Sequence, residues 1–559
     1  MREVIVTIGQ EKRKLAIGST VGEALLAFGL KGEMGTDYQT NPFVCALVND
    51  NPEGFSSIVL SDCTIIPVRL FSDMGKRCYR QSLCYLLSAA ARICFPNRRL
   101  IIGFALGDGY YFTFNDRYLI TSSTVEKLIT TMRDIVARSI TIEQEILPFD
   151  DACALLKTEN LNQTVDLLET TNDPTVSFYK MDGFRDISYE PIVQNSAILS
   201  VWELKLHGGN GLLLRYPRSF DFTKLDTFKD NHLLFAALQQ NKMESPILQP
   251  KSIGELSKLY ECGDTAPFIR LCEEYQSKKI ADIADMICKK SSVRFVLIAG
   301  PSSSGKTTFA YKLCTQLQVR GKQTLKISLD NYYRPHDQVP KDTDGKPDLE
   351  CIEALNLPLF QQNMADLAEG KTVRIPEYDF SSQTSVLSRP IKMDGQTVLV
   401  IEGIHGMNPV LCGSLDNELI FRVYISAFTQ MNIDDHNRIS TTDNRIIRRI
   451  VRDHRTRGSS AEKTLSMFPS VQRGENLYIF PYQNNADVMI NSALDYELAV
   501  LAPFAEPLLR MVKPEPTNVY VTARRLMHFL SHFPQIPDTM VPSDSLLREF
   551  IGGSEYNVT

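Results

Sequence analysis

Residues 300–307 read Gly-Pro-Ser-Ser-Ser-Gly-Lys-Thr, two glycines bracketing small residues ahead of a lysine and a threonine. Small residues let a backbone wrap until its N–H groups converge on one anion, and the lysine and hydroxyl that follow add a point charge and a metal-ligating oxygen. The chemistry that calls for this set is the holding of a nucleoside triphosphate. Gly300, Ser302, Ser303, Ser304, Gly305 and Thr308 supply contacts to the phosphates, Lys306 reaches the β- and γ-phosphates, and Thr307 ligates Mg²⁺. Two carboxylates stand where phosphoryl transfer would need them. Asp330 follows the apolar stretch 325–329 and is the candidate base for an acceptor hydroxyl, although Asp-Asn-Tyr-Tyr reads equally as an Asx-turn. Glu402 closes the apolar stretch 397–401 and is the candidate to hold the metal, directly or through water. A cationic stretch over 444–458 completes the set: helical spacing puts Arg445, Arg448, Arg449 and Arg452 on one side and Ile446, Ile447, Ile450 and Val451 on the other. Guanidinium forks suit the charge of a transferring phosphoryl group; a nucleic-acid contact and a salt-bridged surface helix are the competing readings.

Those side chains need a scaffold that delivers them to one edge. Phe295–Ala299 reads as a buried strand and 309–317 as the helix after the loop, so the G-x-x-x-x-G-K-T pattern sits in strand–loop–helix context. In a parallel α/β sheet, functional residues gather at the carboxyl ends of the strands, which brings Asp330 and Glu402 toward Thr307.

Upstream, alternating stretches at 4–8 and around Leu15 and Ile17 precede a Ser-Thr-capped helix at 21–28 and strands at 43–49 and 64–68, a ββαββ order that fits a small β-grasp module. A second apolar-periodic helix over 78–95 and strands within 100–114 follow. Residues 253–290 read as a helical connector with Ile269, Leu271, Ile280, Ile283, Ala284 and Ile287 as its buried face. His207, beside a glycine turn, reads as structural more readily than as a ligand. The stretch 511–559 carries helical patterning that suggests packing against the preceding domain.

The whole chain sets the outer bounds. Its 559 residues imply several domains, and a formal charge of −6 excludes a globally basic nucleic-acid binder. Twelve scattered cysteines without C-x-x-C pairs read as free, mostly buried thiols. No apolar run approaches the ~20 residues of a membrane span, the first residues lack a signal-peptide core, and the chain reads as cytoplasmic with no membrane partner.

Two resemblances sharpen these readings. GPSSSGKTT, ISLDNYY, PDLECIEALNLPLF, PEYDF, VIEGI and RIIRRIVRD fall in the order and approximate spacing of the uridine kinase and phosphoribulokinase family. That resemblance implies a doubly wound P-loop kinase fold using ATP and Mg²⁺ on a sugar hydroxyl. It also implies Lys306 and Thr307 on phosphates and metal, Asp330 as base, Glu402 near the metal, Asp348, Tyr378 and Phe380 in the substrate pocket, and Arg445, Arg448 and Arg449 as lid arginines. The chain departs from the uridine kinase pattern at Gln383, where a base-contacting histidine is usual, and at His405-Gly406-Met407-Asn408; Gln383 could still hydrogen-bond a pyrimidine edge. The front of the chain resembles a TGS domain followed by the second N-terminal domain of threonyl-tRNA synthetases. The four positions that hold a metal cluster in that family are here Gln81, Tyr85, Ser188 and Ile192, which do not form a ligand set.

The expectation is therefore an α/β protein with a P-loop doubly wound parallel-sheet kinase domain at 291–510. Before it stand a β-grasp TGS-like domain at 1–69, an α+β synthetase-editing-like domain at 70–218 and a connector at 219–290; a helical extension at 511–559 follows. The expected activity is transfer of the ATP γ-phosphoryl to a nucleoside 5′-hydroxyl. A non-nucleoside sugar acceptor, an RNA- or tRNA-responsive ATPase switch contacting RNA through the front half, and a silent scaffold are the alternatives. A homo-oligomer is compatible with the sequence.

Overall fold

All five residues of Phe295–Ala299 are buried, and the strand they form is the middle of a five-stranded parallel sheet. Its order is Gln323–Ser328, Thr397–Glu402, Phe295–Ala299, Ile420–Ser426, Val488–Asn491, each neighbour parallel to the next. A strand covered on both faces reads as a continuous apolar run rather than an alternating one. Val296 and Ile298 pack with Phe309, Leu313 and Leu317 of the helix Lys306–Val319 and with Ile280, Ile283 and Ile287 of the helix Thr265–Lys289. Phe295 and Leu297 face the opposite way, toward Phe360, Met364 and Leu367 of the helix Leu357–Ala368. Leu271, expected on the buried face of Thr265–Lys289, is only half-buried. The chain leaves the central strand, skips over Thr397–Glu402 to reach Gln323–Ser328, and so creates the crevice where open α/β sheets bind ligands.

The computed structural model describes residues 2–116, 119–171, 173–217, 222–244, 250–342, 345–379, 384–413, 415–515 and 517–557. At the front, Glu11–Ala16, Glu3–Ile8, Cys63–Arg69, Phe43–Val48 and Asn51–Glu53 make a sheet in that order, Glu3–Ile8 running parallel to Cys63–Arg69. Its helix Val21–Ala27 starts in a capping box, Thr20 accepting from the Glu23 N–H while Glu23 accepts from the Thr20 N–H. The helix Asp73–Cys94 then packs against a four-stranded sheet containing Leu100–Leu106, Gly109–Phe114, Gly211–Arg215 and Glu203–His207, and near a second sheet of three strands. Phe104, Tyr111 and Leu213 of the four-stranded sheet meet Met407, Tyr424 and Met489 of the kinase-like half in one apolar cluster.

Each of the four positions aligned with the synthetase metal site makes an internal contact. Gln81 donates to Asn437 Oδ1 at 2.8 Å, the Tyr85 hydroxyl donates to the Tyr179 carbonyl, Ser188 donates to the Glu190 carbonyl at 2.7 Å, and Ile192 is buried. His207 lies at a strand end with its ring edge-on to Phe235 at 4.6 Å. The twelve cysteines are free, with Cys262 exposed. Among the described residues no helix is long and apolar enough to cross a membrane.

Candidate active site

The loop after the central strand is shaped by two positions that tolerate little else. A Cβ on Gly300 would lie 1.9 Å from the Ile425 carbonyl oxygen, so only glycine passes that neighbouring strand. Gly305 (φ 82°) caps the helix Lys306–Val319 in the left-handed region, and Ser303 (φ 60°) adopts it as a non-glycine residue, a strain of roughly 1 kcal/mol. Successive turns of this kind aim N–H groups at a common point, and the helix start adds its positive dipole end. Lys306 Nζ curls back over the loop, donating to the carbonyls of Gly300 and Pro301 at 3.1 Å each. Burial pulls its pKa down, and Glu402 and Asp330 pull it back up. The Ser303 and Ser304 hydroxyls are buried within the loop and have no protein partner, which fits a phosphate ligand.

The two carboxylates arrive by register. Glu402 pairs with Ser328 on one side and with Ile298 on the other, so the strand end carrying Glu402 lies between the start of the loop and the turn bearing Asp330. Asp330 sits in the 3-10 turn Leu329–Tyr332, whose start is capped by Ser328 accepting from the Asp330 N–H at 3.3 Å. Burial pushes the Asp330 carboxyl up, opposed by Lys306, Arg457 and Arg452; burial and the nearby Asp330 push Glu402 up, opposed by Lys306 and Lys326. Lysine, aspartate and glutamate thus share one field at the carboxyl edge of the sheet.

The arginine helix, Thr441–Arg457, behaves differently from its sequence expectation. Arg445, Arg448 and Arg449 do not form a free cationic face; all three are buried. Arg445 donates from Nε to the Ser302 carbonyl at 2.9 Å and pairs with Glu475. Arg448 donates to the Ser303 carbonyl at 3.3 Å and the Ser492 carbonyl at 2.8 Å and pairs with Glu497. Arg449 donates to Ser302 Oγ at 2.8 Å and to Asp453 at 3.2 Å. These guanidiniums brace the loop from behind. The arginines whose charges act on Asp330 are Arg457, which helical spacing left out of the cationic side, and Arg452, which it placed there.

In the stretch after Pro347, Asp348 accepts from the Glu350 N–H at 3.0 Å, and Glu350 lies within the electrostatic reach of Arg449 and Lys306. Burial, then Glu475, raises the Glu350 carboxyl to about 7, while Arg449 and Lys306 oppose the rise. Glu350 packs against Gly474, where a Cβ would lie 2.3 Å from the Glu350 Cβ, and the backbone there opens into a π-turn over Glu475–Ile479. Tyr378, on the strand Val373–Asp379, lies beside Tyr333 with ring centroids 5.9 Å apart. His405 is buried just after Glu402, and burial, opposed by a backbone hydrogen bond at Cys351, lowers it to about 4, so it is neutral at pH 7. Phe380 and Gln383 lie outside the described residues.

Among the described residues no three His, Cys, Asp or Glu side chains stand together as a metal cage. A hard cation held by one hydroxyl, one or two carboxylates and phosphate oxygens needs no such cage, so the donor set of Thr307 and Glu402 fits Mg²⁺ bound together with a nucleotide.

Residues 295–499 match the family model described as the phosphoribulokinase/uridine kinase family. A uridine kinase of Macrococcus caseolyticus is 30% identical over 201 residues, spanning 36% of this chain and 88% of that protein. A uridine-cytidine kinase B of Dictyostelium discoideum is 27% identical over 204 residues, spanning 36% of this chain and 76% of that protein. A solved D-glycerate 3-kinase of Cryptococcus neoformans is 15% identical, with a TM-score of 0.22 over 45% of this chain and 88% of that one.

Proposed function

Since this chain belongs, through residues 295–499, to the phosphoribulokinase/uridine kinase family, we propose that it transfers the γ-phosphoryl group of ATP to the 5′-hydroxyl of a nucleoside. The observation that carries the reading is the convergence of Lys306, Asp330 and Glu402 at one sheet edge, beside a loop whose buried serine hydroxyls await acceptors. The relatives described as uridine kinases support a nucleoside as the acceptor.

In this reading the loop N–H groups and Lys306 bind the β- and γ-phosphates, and the arginines behind the loop fix its curvature so that those donors do not reorganise during transfer. Thr307 and Glu402 would hold Mg²⁺, which would supply positive charge to the triphosphate. Asp330 orients the acceptor hydroxyl and takes its proton on a carboxylate oxygen; the rise in its pKa from burial makes it a stronger base than a surface aspartate. Arg452 and Arg457, whose charges act on Asp330, offset the charge of the transferring group. Glu350, once ionised, accepts hydrogen bonds from sugar hydroxyls, and the Tyr333 and Tyr378 rings supply the apolar wall a base would lie against.

The test is ADP release with Mg-ATP and a panel of nucleosides, sugars and, separately, tRNA. Nucleoside-dependent turnover with a 5′-phosphorylated product is expected. Turnover with sugars alone would move the acceptor class, stimulation by tRNA alone would replace the kinase reading with an RNA-responsive switch, and no ADP release with any addition would make the site a silent one.

A further inference from the structure

The P-loop helix does not meet only its own domain. Thr308, fully buried in the first turn of Lys306–Val319, donates its backbone N–H to Glu549 Oε2 at 3.2 Å and its hydroxyl to the same oxygen at 3.0 Å. Backbone N–H groups at this helix start are the donors that a P-loop presents to nucleotide phosphates, so a carboxylate of the same chain occupies a donor pair that the phosphate chain would use. Glu549 is itself 7% exposed and acts electrostatically on Lys306, the phosphate lysine.

The segment that delivers Glu549 is fastened at both ends to the kinase half. Upstream, Lys312 pairs with Asp544 at 2.6 Å and Ser545 donates to Glu273 at 2.6 Å. Downstream, Tyr311 donates to the Asn557 carbonyl at 3.1 Å and stacks on Tyr556 with centroids 5.5 Å apart. In the middle, Arg455 donates to the carbonyls of Glu549 at 2.9 Å and Phe550 at 3.2 Å, and Arg448 lies over the Phe550 ring. The Arg448 guanidinium therefore touches both the loop, through Ser303, and this segment.

We propose that residues 538–557 are an intramolecular competitor for the nucleotide site, in which the Glu549 carboxylate stands in for a phosphate oxygen on Thr308 and must be displaced before a triphosphate seats fully. The proposal rests on the P-loop half binding nucleotide, as the kinase reading requires. A carboxylate and a phosphate cannot share one donor pair, because like charges at hydrogen-bonding distance repel strongly in a buried site. The segment thus sets the fraction of molecules competent to bind, and the apparent nucleotide affinity falls by that fraction.

The experiment is equilibrium binding of Mg-ATP to the full chain by calorimetry, for wild type, Glu549→Gln and Arg455→Ala, with thermal unfolding as the control for folding. Glutamine keeps the size and one acceptor but removes the charge. Glu549→Gln is expected to bind ATP roughly tenfold more tightly, within the 5–150-fold range of coupling between sites, and Arg455→Ala to shift in the same direction. Hydrogen exchange supplies the second readout: amides of 545–552 should lose protection when wild type is saturated with Mg-ATP. Equal or weaker ATP binding by a folded Glu549→Gln, or unchanged protection of 545–552 with ATP bound, overturns the proposal while leaving the kinase reading intact. Absence of ATP binding in wild type and both variants would overturn both.

Discussion

His436 offers a sharp test of how the two halves are joined. It lies in a loop of the kinase half, yet its Nδ1 meets Asp186 Oδ2 of the front half at 2.5 Å and its Nε2 meets the Leu100 carbonyl at 3.1 Å. Asp434 and Asp435 flank it on the same loop, Asp435 pairing with Arg99 at 3.2 Å. Burial would lower the imidazole, but Asp186, then Asp435 and Asp434, push it from 6.5 up to about 9. A histidine with a higher pKa folded than unfolded holds its proton more tightly when folded, so its stabilising contribution is fully present below 6.5 and is lost as pH rises through about 9. At 1.36 kcal/mol per pH unit, that rise is worth roughly 3 kcal/mol. Asp434, raised by burial and then by Asp186 to about 7, is likewise more stabilising when protonated and loses its contribution between 3.8 and 7. The perturbation is His436→Gln, which can still donate to the Leu100 carbonyl but cannot titrate. The single tryptophan, Trp202, lies in the front half and reports urea unfolding there by fluorescence. Between about pH 6 and 9.5 wild type should lose roughly 3 kcal/mol more stability than the variant. Parallel stability curves for the two proteins would show that the His436–Asp186 contact is not an ion pair that joins the halves.

Three further outcomes are expected. Asp330→Asn should keep ATP affinity and lower turnover by at least ~10²-fold in steady-state assays; full activity would remove Asp330 from the base role. A carboxylate accepts hydrogen bonds best when ionised, so kcat/KM for the acceptor should rise with pH through about 7, and Glu350→Gln should flatten that limb; an unchanged profile would detach Glu350 from the acceptor. Arg448→Met should cost about 3–5 kcal/mol in thermal or denaturant unfolding, because it strands Glu497 in a buried site, and a loss below ~1 kcal/mol would contradict the bracing role.

What was legible in the sequence was local. The apolar runs before Gly300 and through 397–401 are strands, and the 309–317 stretch falls within Lys306–Val319, because burial on both faces and the glycine-bounded loop leave few alternatives over a dozen residues. The arginine helix forms where helical spacing placed it, but its chemistry was not legible. Arg445 finds Glu475 and Arg448 finds Glu497, carboxylates 30 and 49 residues away, and no periodicity announces such pairing. Glu350 lies in an irregular stretch, where neither a strand nor a helix period announces its raised carboxyl or its electrostatic neighbours Glu475 and Arg449. Glu549 lies 241 residues from Thr308, and its stretch carries only apolar spacing as a signal.

Asp443, in the first turn of the arginine helix, bears on modularity. Burial alone would raise its carboxyl, but Arg525 from the helix Thr517–Leu530 and Arg77 from the front half hold it down to about 2. Its two cations come from the two flanking stretches of the sequence, one before residue 291 and one after residue 510. Residues 291–510 alone would keep the buried anion and lose both guanidiniums. The kinase-like core of this chain has thus become dependent on its flanking segments, and transplanting it as a cassette would require neutralising position 443 first.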